Sequence, residues 1–139
     1  MDERNINLSE YRLQRAKQCL VSASALISIE DYQGAANRIY YAVFHCMRSV
    51  LAVEGVDFAK HAGVISYYRK NYIKTGIFAT EFSKTIAKAF NMRSDSDYED
   101  FYVVSKSDVT ELLDEVTLFY VETEKYLHNT FRVPVKICG

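Results

Sequence analysis

Gly34-Ala-Ala-Asn-Arg-Ile-Tyr-Tyr-Ala-Val-Phe-His-Cys-Met-Arg48 is the stretch on which the reading of this chain turns. Arg38, Tyr41 and His45 follow one another at spacings of three and four. In an α-helix those spacings stack side chains on one face. Seven residues rotate a helix by about 700°, so Arg38 and His45 point within about 20° of each other. Around them stand Ile39, Tyr40, Val43, Phe44 and Met47, the pattern of a mostly buried helix. A cation and an imidazole on such a helix need either a structural carboxylate or an anionic ligand.

The same helical reading extends in both directions. Leu13, Ala16, Leu20, Ala23 and Ile27 recur at threes and fours, which predicts a first helix over about 9–29, capped by Ser9, with Arg12, Arg15 and Lys17 outward. A second helix is expected over about 32–53, stopped by Gly55. A third follows over about 62–74, and a fourth over about 80–93. Residues 94–106, rich in Ser, Asp and aromatics, read as extended or irregular. Ser105 with Asp108 resembles a capping box for a fifth helix ending near Asn129. One proline and five glycines in 139 residues fit long helices. The expected fold is all-α, an up-and-down bundle of about five helices, with one domain over 1–131 and a peripheral tail over 132–139.

Charge is segregated although the whole chain carries only −1. Residues 60–93 hold seven cationic side chains against Glu81, a net of +6. Residues 94–125 hold ten carboxylates against Lys106 and Lys125, a net of −8. Such separation can attract an anion, pair one protomer with another, or neutralise itself within one bundle. Three cysteines without C-x-x-C spacing indicate neither zinc nor a disulfide framework, and Cys19 and Cys46 read as buried apolar groups. The charged N-terminus lacks a signal-peptide pattern and no apolar run reaches membrane length, so a cytoplasmic protein is expected. The three histidines lack metal-ligand spacing, and no P-loop, dinucleotide fingerprint or hydrolase elbow occurs.

Three blocks carry a resemblance: GAANRIYYAVFH, then EGVDFAKHAGVISYYRKNYIKTG, then KAFNMRSDSDYEDFY. Together they resemble the HEPN domains, in the short stand-alone prokaryotic form, across about residues 8–128. The resemblance implies a helical bundle, often a homodimer, working beside a minimal nucleotidyltransferase, commonly as a toxin–antitoxin pair. It implies nucleotide or RNA as ligand and no cofactor. Active members are metal-independent RNases with an Arg, four to six residues, then a His, two motifs meeting across a dimer. Arg93 matches that Arg, and Tyr98 stands where the His is expected. A phenol is a weak base at neutral pH. Arg38 and His45, with six residues between them, formally meet that spacing but lie on helix two; Arg93 and His45 are the candidate catalytic residues, and Arg38, Tyr41, Arg93, Asp97 and Tyr98 are the expected nucleotide or RNA contacts.

Each of these residues has a plainer role. Arg38 can pair with Asp97 inside the fold, His45 can be a hydrogen-bonded interior histidine, and Tyr98 can pack against helix two. His61 is expected to fix the loop into helix three. Tyr98 or Tyr102 could also accept adenylate, as the resemblance implies. The leading expectation is a nucleotide- or RNA-binding partner of a nucleotidyltransferase. The rivals are an active endoribonuclease toxin and a purely structural partner.

Overall fold

The structure, a computed structural model, describes residues 2–134. It is an all-α, up-and-down bundle of five helices: α1 Glu3–Ser28, α2 Tyr32–Val53, α3 His61–Tyr68, α4 Glu81–Tyr98 and α5 Lys106–Phe131. A π-helical turn, Arg69–Ile73, continues α3. It is closed by the amide of Lys74 donating to the Arg69 carbonyl at 2.9 Å.

Helix starts follow local chemistry. Asp2 caps α1 by accepting from the Arg4 amide at 2.9 Å, so the helix begins six residues before Ser9. Ser9 is instead buried, and its hydroxyl donates to the Ser49 carbonyl at 2.7 Å, tying α1 to α2. Asp31 caps α2 by accepting from the Gly34 amide at 2.9 Å. A Cβ at position 34 would lie 2.5 Å from an Asp31 carboxylate oxygen, so glycine leaves room for this cap. Gly55, at φ +71°, ends α2 in the left-handed region as expected. Ser105 caps α5 by accepting from the Asp108 amide at 3.1 Å.

Helix α2 is the centre of the bundle and packs against α1, α3, α4 and α5. Its pairing with α1 is the most extensive, helped by buried alanines at 16, 23, 35, 36 and 42 that let the backbones approach. Aromatic side chains fill the other end of the core, where Tyr68, Tyr72, Phe78, Phe82 and Phe119 stack in mutual contact. The Tyr72 hydroxyl donates to Glu54, joining the π turn to the end of α2. Cys19 and Cys46 are buried, and burial pushes the Cys46 thiol far above its ordinary range, so it is an inert apolar group. Cys138 lies outside the described residues.

Three expectations change. Helix α4 runs on to Tyr98, because Ser94–Asp97 continue the helix instead of leaving it. Arg12 is buried rather than outward: its Nη1 donates to the Arg48 carbonyl at 3.2 Å and its Nη2 meets Asp57 at 3.1 Å. Val133, in the expected peripheral tail, is fully buried, and its amide donates to the Leu127 carbonyl. No helix among the described residues is long and apolar enough to cross a membrane.

Leu51 is fully buried on the central helix. Leu51→Ala should destabilise the fold by about 3 kcal/mol through lost burial and a residual cavity, read as a lower urea midpoint at unchanged slope.

Candidate functional site

Beyond its first turns, α2 has four side chains that are not buried: Arg38, Tyr41, His45 and Arg48. They form one line at spacings of three, four and three. All other sides of the helix from Ile39 onward are covered by neighbours. The line is where the central helix reaches the surface, and it is the stripe singled out in the sequence.

Tyr41 is the meeting point. The Arg38 guanidinium lies 5.2 Å from the Tyr41 ring centroid, and that of Arg93, from α4, lies 5.6 Å from the same ring and 5.0 Å from Tyr40. His45 packs against Tyr41 with centroids 6.3 Å apart. The structure therefore brings Arg38, Tyr41, His45 and Arg93 into one cluster. Both arginines can hold a planar anion while stacked on an aromatic face.

The carboxylate pairing differs from the simplest expectation. Asp97 pairs with Arg93, not with Arg38: Arg93 Nε is 3.0 Å from Asp97 Oδ2, one helical turn away. The continued helix makes this contact possible. Its angle falls outside that of a hydrogen bond, so the buried Arg93 Nε is ion-paired but not directed at an acceptor. Arg38 has no carboxylate partner among the described residues, and its Nε and Nη2 donate to Asn37 Oδ1 at 3.3 and 2.9 Å. Tyr98 is 78% exposed and does not pack on α2. Tyr102 is also exposed.

His45 departs from the interior histidine with satisfied bonds. Its Nδ1 is buried and has no hydrogen-bond partner. Burial, then the fields of Arg15, Arg48, Arg12 and Arg38, push its pKa down to about 4. It is a neutral imidazole at pH 7. Further along, Arg12 and Arg48 share Asp57, with Arg48 Nη2 at 2.7 Å from Oδ2. Burial pushes Asp57 upward, but the hydrogen bonds from Arg48 and the Phe58 amide and the charges of both arginines outweigh it and hold the carboxyl low. Two guanidiniums on one carboxylate leave this face cationic.

His61, the first residue of α3, completes the cluster in a way that linear spacing did not reveal. Its ring lies 4.0 Å from Phe44 and 6.1 Å from Tyr41, and Nδ1 is 2.7 Å from the Tyr40 hydroxyl. Tyr40 is 1% exposed, and among the described residues His61 is the only hydrogen-bond partner of its hydroxyl. Burial holds that phenol above its ordinary pKa, so it keeps its proton and donates it to Nδ1. The His61 proton then resides on Nε2, which makes no hydrogen bond among the described residues and is not sealed from solvent. Burial, then Arg93 and Arg48, lower the His61 pKa, so it too is neutral. His61 does fix the entry to α3, and in doing so it presents a neutral N–H beside the Arg93 platform. Only its place at the start of a helix, 32 residues before Arg93, was visible in the sequence.

Among the described residues no three His, Cys, Asp or Glu side chains gather where they could hold a metal ion. The chemistry the cluster offers is anion binding by arginines, neutral imidazole N–H donation, and aromatic surface.

Comparison with known proteins finds relatives of the chain as a whole. Residues 9–126 match the HEPN domain family. The chain is 31% identical over 118 residues to the protein named "Putative toxin MJ0142" of Methanocaldococcus jannaschii, covering 85% of this chain and 80% of that protein. It is likewise 31% identical over 123 residues to a UPF0332 protein of Thermotoga maritima, covering 88% of this chain and 93% of the relative.

The depressed pKa of His45 has a thermodynamic consequence. The unfolded chain takes up this proton near pH 6.5 and the folded chain only near pH 4, so stability falls as pH drops between those values. About 2 kcal/mol should be lost across that window, after discounting for partial solvent contact. His45→Gln should flatten this part of the urea-denaturation pH profile.

Proposed function

The chain belongs to the HEPN domain family, and we propose that it binds the phosphate of a nucleotide or RNA on the Tyr41 cluster, as the partner of a minimal nucleotidyltransferase in a two-component, toxin–antitoxin-like system. The observation that carries the ligand class is two arginines, Arg38 and Arg93, facing one tyrosine ring on the exposed line of α2. Guanidinium forks match phosphate oxygens, and aromatic rings accept stacked bases. His61 Nε2 supplies a neutral donor for a phosphate oxygen, and His45 lines the same stripe. The family and the toxin-named relative support the two-component setting.

The experiment is calorimetry of the purified protein with AMP, ATP and a short single-stranded RNA. Binding to at least one is expected, weakened about tenfold or more by Arg93→Ala, the loss of a charge-assisted phosphate contact. His61→Gln, which keeps an N–H near the Nε2 position, should bind better than His61→Leu. If none of the three ligands binds the wild-type protein, the chain is a structural partner and the ligand-binding reading fails.

A second reading, an active metal-independent endoribonuclease, is favoured by the closeness of His61 to the Tyr40–Arg93 pair in a chain that has Tyr98 at the motif's histidine position. Arg93 would offset the charge gathering on the phosphate, while His61 or His45 exchanged the proton. RNA incubated with the protein in EDTA should then be cut, with cleavage lost in Arg93→Ala and in one of His61→Leu or His45→Ala. RNA that stays intact would leave a binding module without this activity.

A further inference from the structure

A depression of about 390 Å³ borders the Tyr41 cluster, lined by Leu26, Asp31, Gln33, Asn37, Arg38 and Asp97. Two of these residues also belong to the cluster. Arg38 faces Tyr41 at 5.2 Å, and Asp97 holds Arg93, which lies 5.6 Å from the same ring. The depression is therefore continuous with the surface assigned above to a phosphate. The start of α2 and the end of α4 form its walls. Gln33 ties them together, its Nε2 donating to the Ser96 carbonyl at 2.8 Å, next to Asp97. The volume falls at the low end of small-ligand clefts, about 300–1,000 Å³, which suits a single ring system.

Its polar groups are unevenly used. Asp31 is occupied as the cap of α2, accepting from the Gly34 amide. Asp97 meets Arg93 through Oδ2 at 3.0 Å, and its Oδ1 has no partner among the described residues. Asn37 Oδ1 accepts from both Nε and Nη2 of Arg38. Those two donors fix which way the amide is turned, and they leave Nδ2 without an acceptor among the described residues. The walls thus offer one carboxylate with a free oxygen and one amide with a free donor.

Among the RNA bases, guanine alone shows two adjacent N–H donors, N1–H and the N2 amino group, beside an acceptor, O6. A carboxylate can take both N–H groups, because each of its oxygens accepts more than one hydrogen bond and Oδ2 can keep Arg93. The Asn37 amide can then donate to O6. Adenine places the N1 lone pair, and cytosine the N3 lone pair, where guanine has its N1–H. Either would face the carboxylate unpaired, which is costly away from water. Uracil has a single N–H between two acceptors.

We propose that this depression is a guanine-selective base pocket, in which Asp97 accepts from N1–H and the N2 amino group, Asn37 donates to O6, and Leu26 packs on the ring. The phosphate of the same nucleotide lies on the Tyr41 cluster. The inference rests on the phosphate-binding reading of that cluster and adds the base it selects. It also accounts for a carboxylate at a site for anions: Asp97 reads the base while it orients Arg93 for the phosphate.

Calorimetry of the full chain with GMP, IMP, AMP, CMP and UMP tests it. GMP should bind about tenfold or more tightly than AMP, the discrimination of one bidentate base contact. IMP keeps N1–H and O6 but lacks the N2 amino group, so it should fall between them. Asp97→Asn keeps the size of the side chain and replaces an acceptor by a donor. It should bring the GMP-to-AMP ratio close to unity, whatever it does to both affinities through Arg93. Asn37→Leu should lower the same ratio. Asp97 is exposed and Asn37 partly so, and a thermal melt would verify that both variants fold. Equal binding of GMP and AMP by the wild-type protein overturns the pocket and leaves the phosphate reading standing. So does a ratio that Asp97→Asn leaves unchanged. Wild-type protein that binds none of the five nucleotides removes the phosphate reading and the pocket with it.

Discussion

The rest of this structure depends on the burial of α2 at the centre of the bundle. A helix surrounded by α1, α3, α4 and α5 must be apolar over most of its circumference, and the chain meets this with alanines, valines and aromatics from Ala35 to Val53. Only one narrow line reaches solvent. Every polar group that α2 carries past its first turns must lie there or find a buried partner. Arg38, His45 and Arg48 take the line, and the buried Ser49 hydroxyl donates to the Cys46 carbonyl while the Ser49 carbonyl accepts from Ser9. Concentrating three basic side chains around Tyr41 and Phe44 is thus a consequence of how little of α2 is free.

Electrostatics sharpens that concentration. Arg12 and Arg15 reach the same region from α1, and Arg93 from α4, while Asp57 and Asp97 are the carboxylates paired there. Burial, and after it the excess of positive charge, lowers the pKa of both His45 and His61. A neutral imidazole still offers one N–H to an anion, while the charge that attracts the anion comes from the guanidiniums. Arg93 is held by aromatic faces and one ion pair at a turn's distance, so its orientation is fixed while its charge stays only partly offset.

Most of the fold was legible because it rests on local signals. Threes and fours of apolar residues, Gly55 after α2 and Ser105 before α5 all act within a few residues, and the structure keeps them. The errors come where local signals compete. Ser9 can cap a helix, but Asp2 does so first and Ser9 serves the α1–α2 contact. Ser94–Asp97 resemble a loop by composition, yet helical continuation gains the Arg93–Asp97 pair and a buried Ser96 whose hydroxyl donates to the Arg93 carbonyl. Arg12 looks like a surface residue until Arg48 and Asp57 are brought against it from α2 and the loop beyond.

The sequence by itself determined the helices, the family and the stripe of Arg38, Tyr41 and His45, because helical periodicity converts spacing directly into direction. It could not determine which partners would meet that stripe. Those contacts join residues far apart in the chain, Tyr40 with His61 and Tyr41 with Arg93, and their geometry depends on how α3 and α4 cross α2. Only tertiary packing decided that Asp97 belongs to Arg93, that Arg38 meets Asn37 and no carboxylate among the described residues, and that His61 stands beside the arginines as a neutral donor.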